Sequence, residues 1–170
     1  MPAQDITTVD ALTRLTLDPT VIAINYFDQI DAAGTRLQTD AIFVRRSNTY
    51  SLLEVVPSRR VSKSIVELTR NMGLRHLILT DDELLMQPRL HSEREIWRHS
   101  TNAVVPVHLR MQILARLNGR GVINMEELLA SINGFGLKRE AVLALACAGI
   151  VEIDVTTVPL GPGSPIRAVA

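Results

Sequence analysis

Residues 39–60 read TDAIFVRRSNTYSLLEVVPSRR and predict a β-hairpin with one carboxylate on each strand. Apolar and β-branched residues favour a strand on either side of Ser47-Asn48, a pair that is typical of a tight turn. Pro57 ends the second strand, because proline cannot donate a hydrogen bond to a sheet. The two carboxylates are Asp40 and Glu54, and both are flanked by strongly apolar residues. Burying an unpaired carboxylate is costly, so the pair indicates a site or the remnant of one.

Metal-dependent cleavage of a phosphodiester is the chemistry that such a pair can support. Carboxylate oxygens hold Mg²⁺ or Mn²⁺, which polarises a phosphoryl oxygen and activates a water. Nucleases of this design usually add a lysine two residues after the second acid, on the same face of the strand. That position is Val56 here, and valine can neither orient water nor stabilise an anion. Two alternatives stay open: Lys63 or Arg59 folds back to fill the place, or the two acids are simply exposed on a hairpin.

The residues around the hairpin predict an α/β domain over residues 1–102. Helical spacing of apolar residues indicates helices, and β-branched runs indicate strands. Gly73 is a favourable residue at the end of a helix, and Pro19 disfavours helix at residue 18. The strand–helix–strand order predicts a crossover onto a mixed sheet with flanking helices. The predicted elements are helices over 7–17, 62–72 and 93–98, strands over 21–27, 36–45, 50–56 and 75–80 (the last buried on both faces), a turn over 31–34, and a helical turn after residue 80.

A second, winged-helix-like domain is predicted over residues 103–170, because three helices are followed by a β-hairpin. The helices are predicted over 107–117, from 124 and over 137–148, and the strands over 150–155 and from 166. The third helix would be the recognition helix that contacts DNA, and Lys138 and Arg139 at its start are the candidate contacts. The rest of that helix is apolar on almost every face, which equally favours burial against another domain or a partner.

Composition and charge restrict the class of protein. No apolar run approaches the roughly 20 residues of a membrane span, there is no signal-peptide pattern, and the single cysteine, Cys147, excludes an internal disulfide. We therefore expect a cytoplasmic protein with no membrane partner. The net charge is zero, yet the segment from residue 45 to residue 75 contains seven basic residues and only two acidic ones. This segment is a candidate phosphate-binding patch, and the alternative is a solvated helix face plus a turn. Its basic residues are Arg45, Arg46, Arg59, Arg60, Lys63, Arg70 and Arg75.

Several short motifs, in order along the chain, resemble those of TnsA-like endonucleases. They are DPTVIAI at 18–24, the glycine at 34, TDAIFVRR at 39–46 and SLLEVVP at 51–57. These enzymes cut transposon ends and have a restriction-endonuclease-like core followed by a winged-helix part. LACAGIVEID at 145–154 is similar to that second part. The resemblance implies Asp40 and Glu54 as catalytic residues and ligands of Mg²⁺ or Mn²⁺.

The departures from the family pattern imply that hydrolysis has been lost. Thr39 stands where the family has proline, and Val56 stands where it has lysine. Thr8 occupies the place of a glutamate on the first helix, with Asp10 the nearest acid. Only two of the four expected groups remain, so Asp40 and Glu54 would be the remnant of an active site.

The expected function is therefore that of a nuclease-like protein of a mobile element or phage. It would bind DNA, or a DNA-processing protein such as a recombinase, without efficient cleavage. One alternative is a non-enzymatic interaction subunit, which docks a protein partner through the apolar C-terminal helix and the basic hairpin, or a second copy of itself through the apolar tail beyond Val158. The other is an active metal-dependent endonuclease whose missing lysine is supplied by Lys63 or by a partner.

Overall fold

A computed structural model describes residues 5–32, 35–57, 62–101, 105–133 and 136–169, with backbone alone at 30–32 and 35–40. The chain forms two compact units. The first unit comprises Met1–Leu15 and Thr20–Leu85, and the second comprises Thr16–Pro19 and Met86–Ala170.

The first unit contains a mixed four-stranded sheet, which confirms the predicted α/β class. Its strands follow the order β1-β2-β3-β4, in which β1, β2 and β3 are antiparallel and β4 runs parallel to β3. The elements are α1 Ile6–Leu17, β1 Val21–Ala32, β2 Thr35–Arg46, β3 Thr49–Val56, α2 Lys63–Met72, β4 Arg75–Thr80 and α3 Asp81–Leu84.

Strand alternation divides the hairpin side chains between two apolar clusters. Ile42 lies opposite Leu53, and Phe43 lies opposite Leu52. Neighbouring residues of a strand point to opposite faces, so the Ile42–Leu53 pair lies on one face of the sheet and the Phe43–Leu52 pair lies on the other. One face packs Ile42, Val44 and Leu53 against Leu12 and Leu15 of α1. The other packs Ala41, Phe43 and Leu52 against Ile65 and Leu68 of α2 and the following Leu74.

Three details differ from the elements predicted for residues 1–102. β1 continues to Ala32, where a turn over 31–34 was predicted, because its last residues pair with β2; residues 33 and 34 lie outside the described part. β4 is only partly buried, because it is the edge strand of this sheet. The short helix predicted over 93–98 begins earlier, after Pro88, and is α4 Arg89–Trp97.

The second unit has a small antiparallel sheet of order β5-β7-β6. Its apolar core includes α7 residues Val142, Leu143 and Leu145, so the apolar side chains of that helix pack within the unit. The two-residue strand β5 is too short to leave a periodic signal in the sequence. Besides α4, the elements are α5 Val107–Arg120, β5 Ile123–Asn124, α6 Met125–Ser131, α7 Lys138–Cys147, β6 Val151–Ile153 and β7 Pro165–Ala168.

The division into units falls after Leu85, whereas the sequence predicted a boundary between residues 102 and 103. That predicted boundary lies outside the described residues. The observed division comes earlier because α4 packs against α7, with Ile96 in the core of the second unit. Within the described residues, no helix is both long and apolar enough to cross a membrane.

Candidate site around Glu54

Glu54 is a buried carboxylate in an interior strand of the first unit. It lies in β3, between β2 and β4, and its exposed fraction is only 8%. Leu52 and Val56, two residues to either side, share its face of the sheet because side chains alternate. Both are buried and apolar. A carboxylate in such surroundings needs polar partners, since burying an uncompensated charge is expensive.

The first partner is the start of α2. Glu54 Oε1 accepts a hydrogen bond of 2.9 Å from the backbone N–H of Ser62, the N-cap residue of that helix. The first N–H groups of a helix have no partner inside the helix, and the helix dipole favours an anion there. The carboxylate therefore links β3 to the beginning of α2.

The second partner is His76 on β4. Its Nε2 lies 2.8 Å from Glu54 Oε2. The two atoms are close enough for an ion pair, but their approach is too poorly aligned for a hydrogen bond, and neither atom has a hydrogen-bond partner elsewhere in the described residues. His76 lies opposite Leu52 in the parallel register, and Glu54 lies opposite Ile78, so the two polar side chains share one face. Sequence reasoning missed this contact, although the predicted crossover already placed a histidine on a strand of the same sheet.

Position 56, where a nuclease of this kind would have lysine, holds a valine. Val56 lies on the face of Glu54 and is 4% exposed. Lys63 is the first residue of α2, directly after Ser62, so its backbone lies next to the residue that binds Glu54. Its side chain is exposed to solvent. Arg59 lies outside the described residues.

Asp40 is described by its backbone only. It belongs to β2, at an irregularity in the register with β1. Phe27 lies opposite Ala41 and Gln29 opposite Gln38, which leaves Thr39 and Asp40 at a bulge. A bulge changes the direction of side chains relative to simple alternation. The meeting of Asp40 with Glu54 therefore stays a prediction.

The described donors do not fit a magnesium site. Mg²⁺ prefers six oxygen ligands, several of them waters. Glu54 offers one carboxylate whose two oxygens face Ser62 and His76, and His76 offers a buried ring nitrogen. No group of three or more His, Cys, Asp or Glu side chains suited to a metal occurs among the described residues, which do not include the side chain of Asp40. Thr8 occupies the place where TnsA-like enzymes have a glutamate on the first helix. It forms hydrogen bonds with Asp5, and the nearby Asp10 is buried in α1.

The candidate phosphate-binding residues of the first unit differ in their environments. Lys63, Arg70 and Arg75 are exposed. Arg46 Nε donates to Thr20 Oγ1 at 3.1 Å. Arg45 is half-buried, and its Nε atom is buried without a hydrogen-bond partner in the described part of the chain. Two further candidates, Arg59 and Arg60, lie outside the described residues.

Lys138 and Arg139 make contacts inside the second unit. Lys138 Nζ donates to the carbonyl oxygens of Ile132, at 2.7 Å, and Leu129, at 3.3 Å, and so stabilises the end of α6. Arg139 forms an ion pair with Glu95 of α4 at 2.6 Å. Both cations are thus engaged at the end of α7 that was expected to face DNA.

Cys147 has the properties of a structural thiol. Its Sγ donates to the carbonyl oxygen of Ile96 at 3.2 Å. Burial raises the pKa of the Cys147 thiol to about 11, which leaves little of the reactive thiolate near neutral pH. The second unit therefore gains packing from this residue rather than a nucleophile.

No protein-family model matches the chain, and no curated protein sequence matches it.

Proposed function

We propose that the chain is a nuclease-like protein that binds duplex DNA, or a protein that processes DNA, without cleaving it efficiently. The observation that carries the proposal is the environment of Glu54. Both of its oxygens face groups within the first unit, and the buried Val56 stands beside it where a lysine would act. A carboxylate with these contacts contributes to the stability of the fold rather than to hydrolysis.

The arrangement of elements supports the proposal. The order α1-β1-β2-β3-α2-β4, with a mixed sheet packed against a helix on each face, is the one expected of a restriction-endonuclease-like core. The order α5-β5-α6-α7-β6-β7, with its small antiparallel sheet, is the one expected of a winged helix. Both agree with the TnsA-like resemblance, which would place the protein in a mobile element or phage.

We assign DNA contact to the first unit rather than to α7. Lys63, Arg70 and Arg75 are exposed cations in the segment with excess positive charge. Lys138 and Arg139 already have partners inside the second unit. Contacts of this kind neutralise phosphates and release counterions, so they predict steep salt dependence and little sequence preference.

The test is retention of a duplex fragment by the full chain, run beside nicking of a supercoiled plasmid with Mg²⁺ or Mn²⁺. We expect binding that weakens at least tenfold between about 50 and 200 mM salt, and no nicking. The double variant Lys63→Glu/Arg70→Glu should bind more weakly with a shallower salt slope. Arg98→Glu is the matched control, because Arg98 is also exposed but lies outside the basic segment.

Two results would overturn the proposal. Plasmid nicking by the native chain that disappears in Asp40→Ala would mean that a working site exists. Retention that is absent, or that does not change with salt, would favour a role in protein interaction alone. Nicking gained only in a folded Val56→Lys variant would support loss of the lysine as the cause of inactivity.

A further inference from the structure

One face of α5 is apolar yet exposed. Val107 is 76% exposed, Met111 is 61% exposed, and Ala115 is exposed one further turn along the helix. Residues four apart lie on the same side of a helix, so these three form a continuous stripe. Ile113 and Leu117, which are fully buried, face the core of the second unit instead. The stripe is therefore not needed for the packing of this unit.

Positive charge flanks this stripe. Arg110 and Arg116 are exposed and, at about 100° per residue, lie on opposite sides of Met111. Helix α5 contains no acidic residue. A surface that fits here must carry apolar side chains beside carboxylates. Two α5 faces would not fit each other well, because their arginines would repel.

The chain itself carries such a surface at residues 82–86. Asp82 and Glu83 are exposed, and they are followed by Leu85 and Met86, which are 53% and 60% exposed. These four residues present two acids next to two apolar side chains.

This acidic segment is held in a defined conformation. Thr80 and Glu83 form a capping box at the start of α3. The Arg14 guanidinium donates to the carbonyl oxygens of Glu83, at 2.7 Å, and Leu84, at 3.2 Å. A surface that is ordered before binding loses less conformational entropy on binding.

We propose that the α5 face of one protomer binds residues 82–86 of a second copy of the chain. Leu85 and Met86 would cover Met111 and Val107, and Asp82 would approach Arg110. This contact uses no residue of the Glu54 site and does not depend on DNA binding.

The test is the molar mass of the full chain in solution without DNA, measured by sedimentation equilibrium over a range of protein and salt concentrations. We expect self-association that weakens as salt rises, since charge complementarity contributes. Met111→Glu should weaken it roughly tenfold or more, because it places a charge in the apolar centre. Leu137→Glu is the matched control: this residue is 72% exposed, lies in the same unit and is outside the α5 stripe.

A charge exchange identifies the partner surface. Arg110→Glu and Asp82→Arg should each weaken association, and the combined variant should recover it in part, with folding of every variant checked by circular dichroism. A chain that stays monomeric, or equal losses in Met111→Glu and Leu137→Glu, would overturn the proposal. So would a Met111→Glu variant of unchanged mass that retains less duplex DNA, because the face would then bind nucleic acid.

Discussion

At the scale of single residues, Glu54 connects three elements of the first unit. Its two oxygens face His76 on β4 and the Ser62 N–H at the start of α2, while Glu54 itself lies in β3. A buried charge is tolerable only with such partners, and removing one of them leaves the other without compensation. Stability is therefore the property most sensitive to this residue.

We expect Glu54→Ala to lower the free energy of unfolding by about 2–4 kcal/mol, because it leaves the Ser62 N–H and the His76 ring without their partner. Glu54→Gln should cost less, since its amide oxygen can still accept from Ser62. Urea denaturation measures both effects.

The control for this prediction is Glu67→Ala, on the exposed side of α2, which should change stability by no more than about 0.5 kcal/mol. In a double-mutant cycle, Glu54→Ala and His76→Ala should be non-additive. Additive effects, or a Glu54→Ala variant as stable as the native chain, would contradict the linking role.

At the scale of elements, α2 ends by a local backbone device. Gly73 has φ +64°, and its N–H and that of Leu74 bond back to Arg70 and Thr69. L-residues pay a steric cost in this left-handed conformation, whereas glycine does not. The termination places β4 directly after the helix and so brings His76 back to the sheet.

We expect Gly73→Ala to destabilise the protein by about 1 kcal/mol through the backbone alone, because an added Cβ would meet no atom within 4 Å. Gly119→Ala has the same free space but lies within α5 without a positive φ, so it should stabilise by about 0.5–1 kcal/mol. Thermal or urea unfolding of the pair gives the comparison, and effects of the same sign would contradict this account.

At the scale of the whole molecule, a net charge of zero conceals cations with different roles. The chain has only two lysines, and they illustrate the contrast. Lys63 is exposed at the start of α2, in the basic segment. Lys138 donates to two carbonyl oxygens at the end of α6. Local environment, rather than the count of basic residues, decides which of them is available to a ligand.

We expect Lys63→Met to weaken duplex retention and to leave stability within about 0.5 kcal/mol of the native value. Lys138→Met should do the reverse, with a loss of about 1–3 kcal/mol from two charge-assisted hydrogen bonds and little change in retention. Retention at fixed salt and urea denaturation are measured on both variants. A drop in DNA retention for Lys138→Met without loss of stability would contradict this assignment and indicate that α7 contacts DNA.

Local pattern predicted much of the first unit. The hairpin, the helix before Gly73 and the mixed sheet follow from periodicity of two or 3.6 residues and from turn chemistry, which neighbouring residues carry. The same periodicity predicted that β4 is buried on both faces, although it is an edge strand. Position within a sheet depends on all the strands, so periodicity within one strand does not report it.

The sequence alone determined that Glu54 lies on a strand among apolar neighbours and that Val56 shares its face, because alternation is a property of the strand itself. Only the tertiary structure decided which groups meet it. His76 reaches Glu54 through parallel pairing of β3 with β4, and the Ser62 N–H reaches it through the position of α2. Likewise, Lys138 lies at the start of its helix by sequence, but its carbonyl partners come from the packing of α6 and α7. Contacts between distant segments depend on register and packing, which no local pattern specifies.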